Sequence, residues 1–169
     1  MGNVLLEKVE FTVVRTRRGT WRRHLFPTGA RFAEYTSHAR AFGLPLVHYT
    51  FGVNPETGGR VVARGVFAFG RIATGVFAFG QVALGLLPFG QLAVGPVAFG
   101  QGALGLVAIG QVAVGAAFAA GQIAVGWIAI GQVAAGAWVL AQAGFGGHVW
   151  TPGSADPEAV RFFRSLLGR

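Results

Sequence analysis

Hydrophobic and small residues recur every five positions over most of the chain. QVALGLLPFG (81–90), QLAVGPVAFG (91–100) and QGALGLVAIG (101–110) are successive copies of one decapeptide, with RIATGVFAFG (71–80) before them and QIAVGWIAIG (122–131) after. Each decapeptide is two pentads of the form variable, apolar, Ala, large apolar, Gly. Gly falls at every fifth position from Gly65 to Gly115. One extra residue in AAFAAG (116–121) shifts the register, which resumes at Gly126, Gly131 and Gly136. Gln81, Gln91, Gln101, Gln111, Gln122 and Gln132 open alternate pentads, and Arg71 holds the same slot. A short fixed period of this kind marks a stacked repeat architecture.

Two structures compete for the block. From Ile72 to Gly147, 76 consecutive residues carry no Asp, Glu, Lys, Arg or His. That is enough for three or four transmembrane helices of about 20 residues each. Five residues, however, advance a helix by about 140°, so the glycines would spiral over every face. They do not form a small-residue packing face, and each costs about 0.5–1 kcal/mol in a helix. No polar loop divides the block into spans. Alternation within the pentad instead predicts strands, with positions 2 and 4 on one face. We expect those large residues to point inward, Ala to point outward, and Gly to turn the corners. Four pentads then close a square coil of 20 residues, with Gln on two opposite sides, stacked into ladders. The expected fold is all-β: a β-solenoid (parallel β-helix) of pentad or decapeptide repeats.

The register extends upstream through ARAFG (39–43), HYTFG (48–52) and VVARG (61–65), with NPETGG (54–59) read as an inserted turn. Residues 7–36 read as strands. The segment around Gly19-Thr20 reads as a hairpin rich in Arg15, Arg17, Arg18, Arg22, Arg23 and His24. The C-terminal segment has helix-start signals: Ser154 or Asp156 to cap and Pro157 at the first helical position. Val160, Phe163, Leu166 and Leu167 make it amphipathic, suited to covering the last coil. The expected organisation is a basic β-hairpin cap (1–38), a Gly/Ala-rich solenoid (39–147) and a C-terminal amphipathic helix (148–169).

Over about residues 39–140 the repeat resembles the pentapeptide-repeat proteins, which are square β-solenoids. It lacks their polar pentad position and fixes Gly instead. It is more similar to bacterial proteins with hydrophobic Gly-Ala repeats that follow a short polar segment. The resemblance implies an architecture and no site residues.

Charge and composition decide where such a fold can live. The chain has 169 residues, 53% hydrophobic and 12% charged, 28 of them Gly, with a net charge of +8 carried at the two ends. Positions 1, 3 and 5, expected outside, are Gln or an apolar residue, Ala and Gly. An apolar wall of that size must meet lipid, another copy or another protein. Lipid tolerates no open sheet edge, and a solenoid has edges only at its ends. Five to six coils at about 4.8 Å rise roughly 24–29 Å, close to the hydrocarbon thickness of about 30 Å. The expected partners are a lipid bilayer or a membrane-protein complex and a second copy of the chain. The expected location is a membrane, with the basic N-terminal end cytoplasmic. The alternative is a soluble self-assembling scaffold or filament in the cytoplasm, with a bactofilin-like role.

Arg15, Arg17, Arg18, Arg22 and Arg23 are candidate contacts for anionic lipid or a partner. A nucleic-acid-binding role for the same hairpin is the third reading, with no known motif behind it. No cofactor is implied, and no enzyme. His24, His38, His48 and His148 are scattered, without metal-ligand spacing. The six carboxylates offer no acid–base pair. The chain has no Cys. GFGG (144–147) lacks the Lys and Ser or Thr of a phosphate loop and reads as an exit turn.

Overall fold

The computed structural model describes residues 9–166 and 168. Its contacts cluster into two units, one ending at Gln81 and one beginning at Val82. The chain is a β-solenoid, 72% strand and 6% helix.

In the first unit, β1 (Thr12–Arg15), β2 (Gly19–Leu25), β3 (Arg31–Ser37) and β6 (Val47–Phe51) pair antiparallel in that order. Between them β4 (Arg40–Ala41) and β5 (Leu44–Pro45) form a small hairpin. β6 then pairs parallel with β7 (Ala63–Phe69), which pairs parallel with the first part of β8 (Ile72–Val94). The sheet therefore changes from antiparallel cap to parallel coil at β6. The β1–β2 turn lies at 16–18, where the Thr16 N–H donates to the Gly19 carbonyl at 2.8 Å, so Gly19 and Thr20 belong to β2 and do not form the turn. ARAFG is also no coil pentad. Phe42 and Gly43 both have positive φ (55° and 76°) and make the β4–β5 turn. NPETGG is the expected turn, closed by Gly58 N–H to Asn54 O and Asn54 N–H to Gly59 O, both at 2.8 Å.

The parallel register corrects the coil size. Ala63 faces Ala73, Gly65 faces Gly75 and Phe69 faces Phe79, all ten residues apart. In the second unit Phe89 faces Phe99 and Ala93 faces Ala103, again ten apart, where β8 meets β9 (Val97–Thr151). One coil is thus two pentads, with two five-residue sides instead of four.

That size reverses the expected faces. Ala63, Ala68, Ala73 and Ala78 in the first unit, and Ala98, Ala108, Ala113, Ala124 and Ala129 in the second, are 0% exposed. Leu84, Leu92, Leu104, Val112 and Ile123, at positions 2 and 4 and expected inside, are exposed. The alternation is as expected, but its sense is inverted. Two sides packed back to back leave little depth between them, so Ala fills most interior positions and the large residues stand outside. Pro88 replaces Ala at one such position and is also fully buried.

The same closeness explains the glycines. None between Gly65 and Gly136 has positive φ. A Cβ on Gly95, Gly105, Gly110, Gly131 or Gly136 would collide with the carbonyl oxygen of the glycine one coil earlier. Gly is present because backbones approach closely there, not because corners need a left-handed residue. The extra residue of 116–121 is absorbed as a bulge. Gly121 stacks on Gly110 and Gly126 on Gly115, eleven apart, before the spacing of ten returns.

The second unit ends in a hairpin and a helix. GFGG is not an exit turn, because β9 continues through it to Thr151. β10 (Ser154–Ala155) pairs antiparallel with the end of β9. The helix α1 occupies Pro157–Leu166 only, so residues 148–155 are strand and turn. Asp156 caps it: its Oδ1 accepts the Glu158 N–H at 2.8 Å, and its carbonyl accepts the Val160 N–H at 3.0 Å. Ala159 and Phe163 are buried, and Phe162 stacks on Trp138 of β9 with ring centroids 4.4 Å apart. Leu166 is exposed, and Leu167 lies outside the described residues.

Candidate functional site: an apolar wall and a basic cap

The wall of the second unit is built by the repeat itself. Positions 2 and 4 of each pentad project from the coil in columns, and parallel pairing places like beside like. Phe89 and Phe99 stack with centroids 5.1 Å apart and planes within 5°. Leu84, Leu92, Leu104, Val112, Val114, Ile123, Val125 and Val133 are all exposed. The inverted faces make this wall more apolar than the sequence suggests, since it shows Leu, Val and Ile in place of Ala and Gly. No helix among the described residues is long and apolar enough to cross a membrane.

The Gln residues stand at one corner. Gln91, Gln101, Gln111, Gln122 and Gln132 are exposed and fall once per ten-residue coil, which corrects the expected placement on two opposite sides. Gln142 joins them. Its slot is hidden in the sequence because Ala141 replaces the preceding Gly. Gln81 is exposed at the end of the first unit. The corresponding slot of the alternate pentads holds Leu86, Pro96, Leu106, Ala116, Trp127 and Ala137.

The cap in the first unit divides its charges by sheet face. On one face Arg22 donates to Glu34 at 3.1 Å and to Glu56 at 3.3 Å, and its guanidinium lies 4.3 Å from the Phe11 ring centroid. It therefore ties β2, β3 and the 54–59 turn together. His48 completes this cluster. Its Nδ1 accepts the Arg64 N–H at 2.8 Å, so its Nε2 carries the proton donated to Glu34 at 3.2 Å. The His48 hydrogen bond holds the Glu34 carboxyl below the usual glutamate range, assisted by the Arg22 charge and opposed by burial.

On the other face Arg23, Leu25, Arg31 and Tyr49 are exposed, and Trp21 and Tyr35 are half-buried. Val14, Trp21 and Tyr35 align across β1, β2 and β3, and Tyr35 faces Tyr49 of β6. Arg23 lies over Trp21, 4.7 Å from the ring centroid, and Leu25 faces Arg31. Trp21, Arg23, Arg31 and Tyr49 line a groove of about 570 Å³. Arg15, Arg17 and Arg18 are exposed around the β1–β2 turn. Of the five expected contact arginines, four are thus exposed and Arg22 is engaged internally. Arg31, which sequence reasoning misses, joins them because β3 pairs it opposite Leu25.

Each histidine is tied down locally. His24 bonds the Glu10 carbonyl at 2.9 Å, His38 the Thr20 hydroxyl at 3.1 Å, and His148 the Asp156 carboxylate at 2.9 Å. The His148 bond, followed by the Glu158 N–H, holds Asp156 below its ordinary range. Among the described residues no three His, Asp or Glu are grouped to hold a metal ion. The His48–Glu34 and His148–Asp156 pairs are invisible in the sequence, because spacing carries no signal of cross-strand pairing. No protein-family model, curated protein or solved structure matches the chain.

Proposed function

We propose that the protein is a non-enzymatic structural or accessory element whose solenoid wall lies in a membrane or against a membrane complex. One observation carries this reading: the coils put Ala inside and their large apolar residues outside, and no charge interrupts them between Val82 and Gly147. A wall of Leu, Val, Ile and Phe columns in water would incur the full hydrophobic penalty. Parallel coils pair their backbone groups with the coil above and below, which is the condition hydrocarbon imposes. At ten residues per coil, Val82–Gly147 makes about six and a half coils, a rise of about 31 Å against about 30 Å of hydrocarbon. Arg15, Arg17, Arg18, Arg23 and Arg31 suit the cytoplasmic headgroup side, with Trp21 and Tyr49 as interfacial aromatics.

Fractionation tests the reading. The chain is expected in the membrane pellet, resistant to high salt and alkaline carbonate and released by detergent. Recovery in the soluble fraction without detergent overturns it. A soluble self-assembling scaffold would then take its place, a reading favoured by the exposed Gln corner. Nucleic-acid binding by the Arg-rich cap has no further observation behind it.

A further inference from the structure

From the Gln corner of the second unit we infer that the chain pairs with a second copy of itself along a Gln seam. Gln91, Gln101, Gln111, Gln122, Gln132 and Gln142 form the polar line of a wall that is otherwise uncharged and largely apolar. None of the described hydrogen bonds involves any of these six amides. A primary amide offers two donors and an acceptor with two lone pairs. Amides stacked one coil apart can bond along the column, but this uses only part of that capacity. In the lipid surroundings of the proposed function, on which this inference rests, the remainder must find a partner, and polar side chains there associate across interfaces.

The partner that fits is another Gln column. Amides are self-complementary, so the same edge serves both copies in an isologous two-fold contact. The corner also admits a close approach. Gly90, Gly100, Gly110, Gly121, Gly131 and Ala141 immediately precede the six glutamines and add little or no bulk. Beside Gln122, Gln132 and Gln142 the surface is a groove of about 630 Å³, bounded by Ile130, Leu140 and Trp150, able to seat apolar side chains of the second copy. The opposite corner, with Leu106 and Trp127, offers no such hydrogen-bonding line.

Because the chain has no Cys, single-cysteine variants report the seam without interference. Gln111→Cys and Gln122→Cys lie at the middle of the column, where a residue approaches its own copy whichever way the two-fold runs. Leu106→Cys and Trp127→Cys mark the opposite corner. Each full-length variant is oxidised with copper phenanthroline in whichever fraction the chain occupies, and dimer is read on a non-reducing gel. The seam predicts strong cross-linking at both Gln sites and several-fold less at Leu106 and Trp127. Monomer at all four sites, or equal cross-linking at both corners, overturns it. Light scattering of the Gln111→Leu/Gln122→Leu variant supplies a second arm: a shift from dimer to monomer supports the seam, and an unchanged dimer overturns it. Fractionation failure sinks the membrane reading separately, since neither arm depends on which fraction is used.

Discussion

A Cβ on Gly110 would collide with the carbonyl oxygen of Gly100, ten residues earlier and one coil away. Neither atom can retreat, because both belong to paired backbone. Gly110→Ala is therefore expected to destabilise the solenoid by at least about 1–3 kcal/mol, the usual cost of overpacking. Loss of β signal on heating, followed by circular dichroism, measures it. Gly153→Ala is the control, since an added Cβ there meets nothing within 4 Å. Equal melting of the two variants would show that the coils have slack.

The inverted faces predict opposite sensitivities for adjacent residues. Ala103 is 3% exposed and Leu104, at position 4 of the same pentad, is 49% exposed. Ala103→Leu should cost about 1–3 kcal/mol or prevent folding, because the closely packed sides there leave no space for a long side chain. Leu104→Ser should change stability by less than about 1 kcal/mol while reducing the detergent needed to keep the chain dispersed. If Leu104→Ser unfolds the chain and Ala103→Leu is tolerated, the large residues face inward after all.

Much of this architecture is legible in the order of the residues. The pentads announce strands and a solenoid, the extra residue at 116–121 announces a break in register, and the 54–59 turn and a cap at Ser154 or Asp156 are readable from local chemistry. The sense of the alternation is not legible, because it depends on coil size. Positions 2 and 4 share a face in a ten- or twenty-residue coil alike, and only the Ala63–Ala73 register decides how many sides there are. The glycines are ambiguous for the same reason: turning a corner and allowing close approach leave the same letter in the sequence. The candidate sites behave similarly. The arginines are visible as a cluster, but the separation of Arg22 from Arg23 needs the pairing of β2 with β3.

The helix α1 is held to β9 mainly through Phe163, 2% exposed, and through Phe162 on Trp138. Phe163→Ala should cost about 3–5 kcal/mol of local stability and release the helix. The last coil then loses its cover and presents an unpaired apolar edge. Concentration-dependent aggregation and faster proteolysis near the C-terminus are the expected readouts, with the repeat's own β signal largely kept. Unchanged proteolysis would show that the helix covers nothing.

Glu34 supplies the clearest pH dependence. It is 14% exposed, bonded to His48 and Arg22, and its carboxyl sits below the ordinary value. The unfolded chain holds that proton at about pH 4.3. The fold therefore favours the ionised form, and the unfolded state binds more protons through this window. Stability from Glu34 is fully present above about pH 5, and it is lost as pH falls through the lower folded value. Glu34→Gln removes the charge while keeping a similar shape. It should cost about 1–3 kcal/mol at neutral pH, leaving Arg22 with only the more exposed Glu56. The decisive measurement is the difference in melting temperature between Glu34→Gln and the parent across the acid range. A gap that is constant at neutral pH and narrows as pH falls below the ordinary glutamate value assigns the effect to the ionised carboxylate. A gap that persists unchanged into acid would place the loss in side-chain packing between β3 and β6.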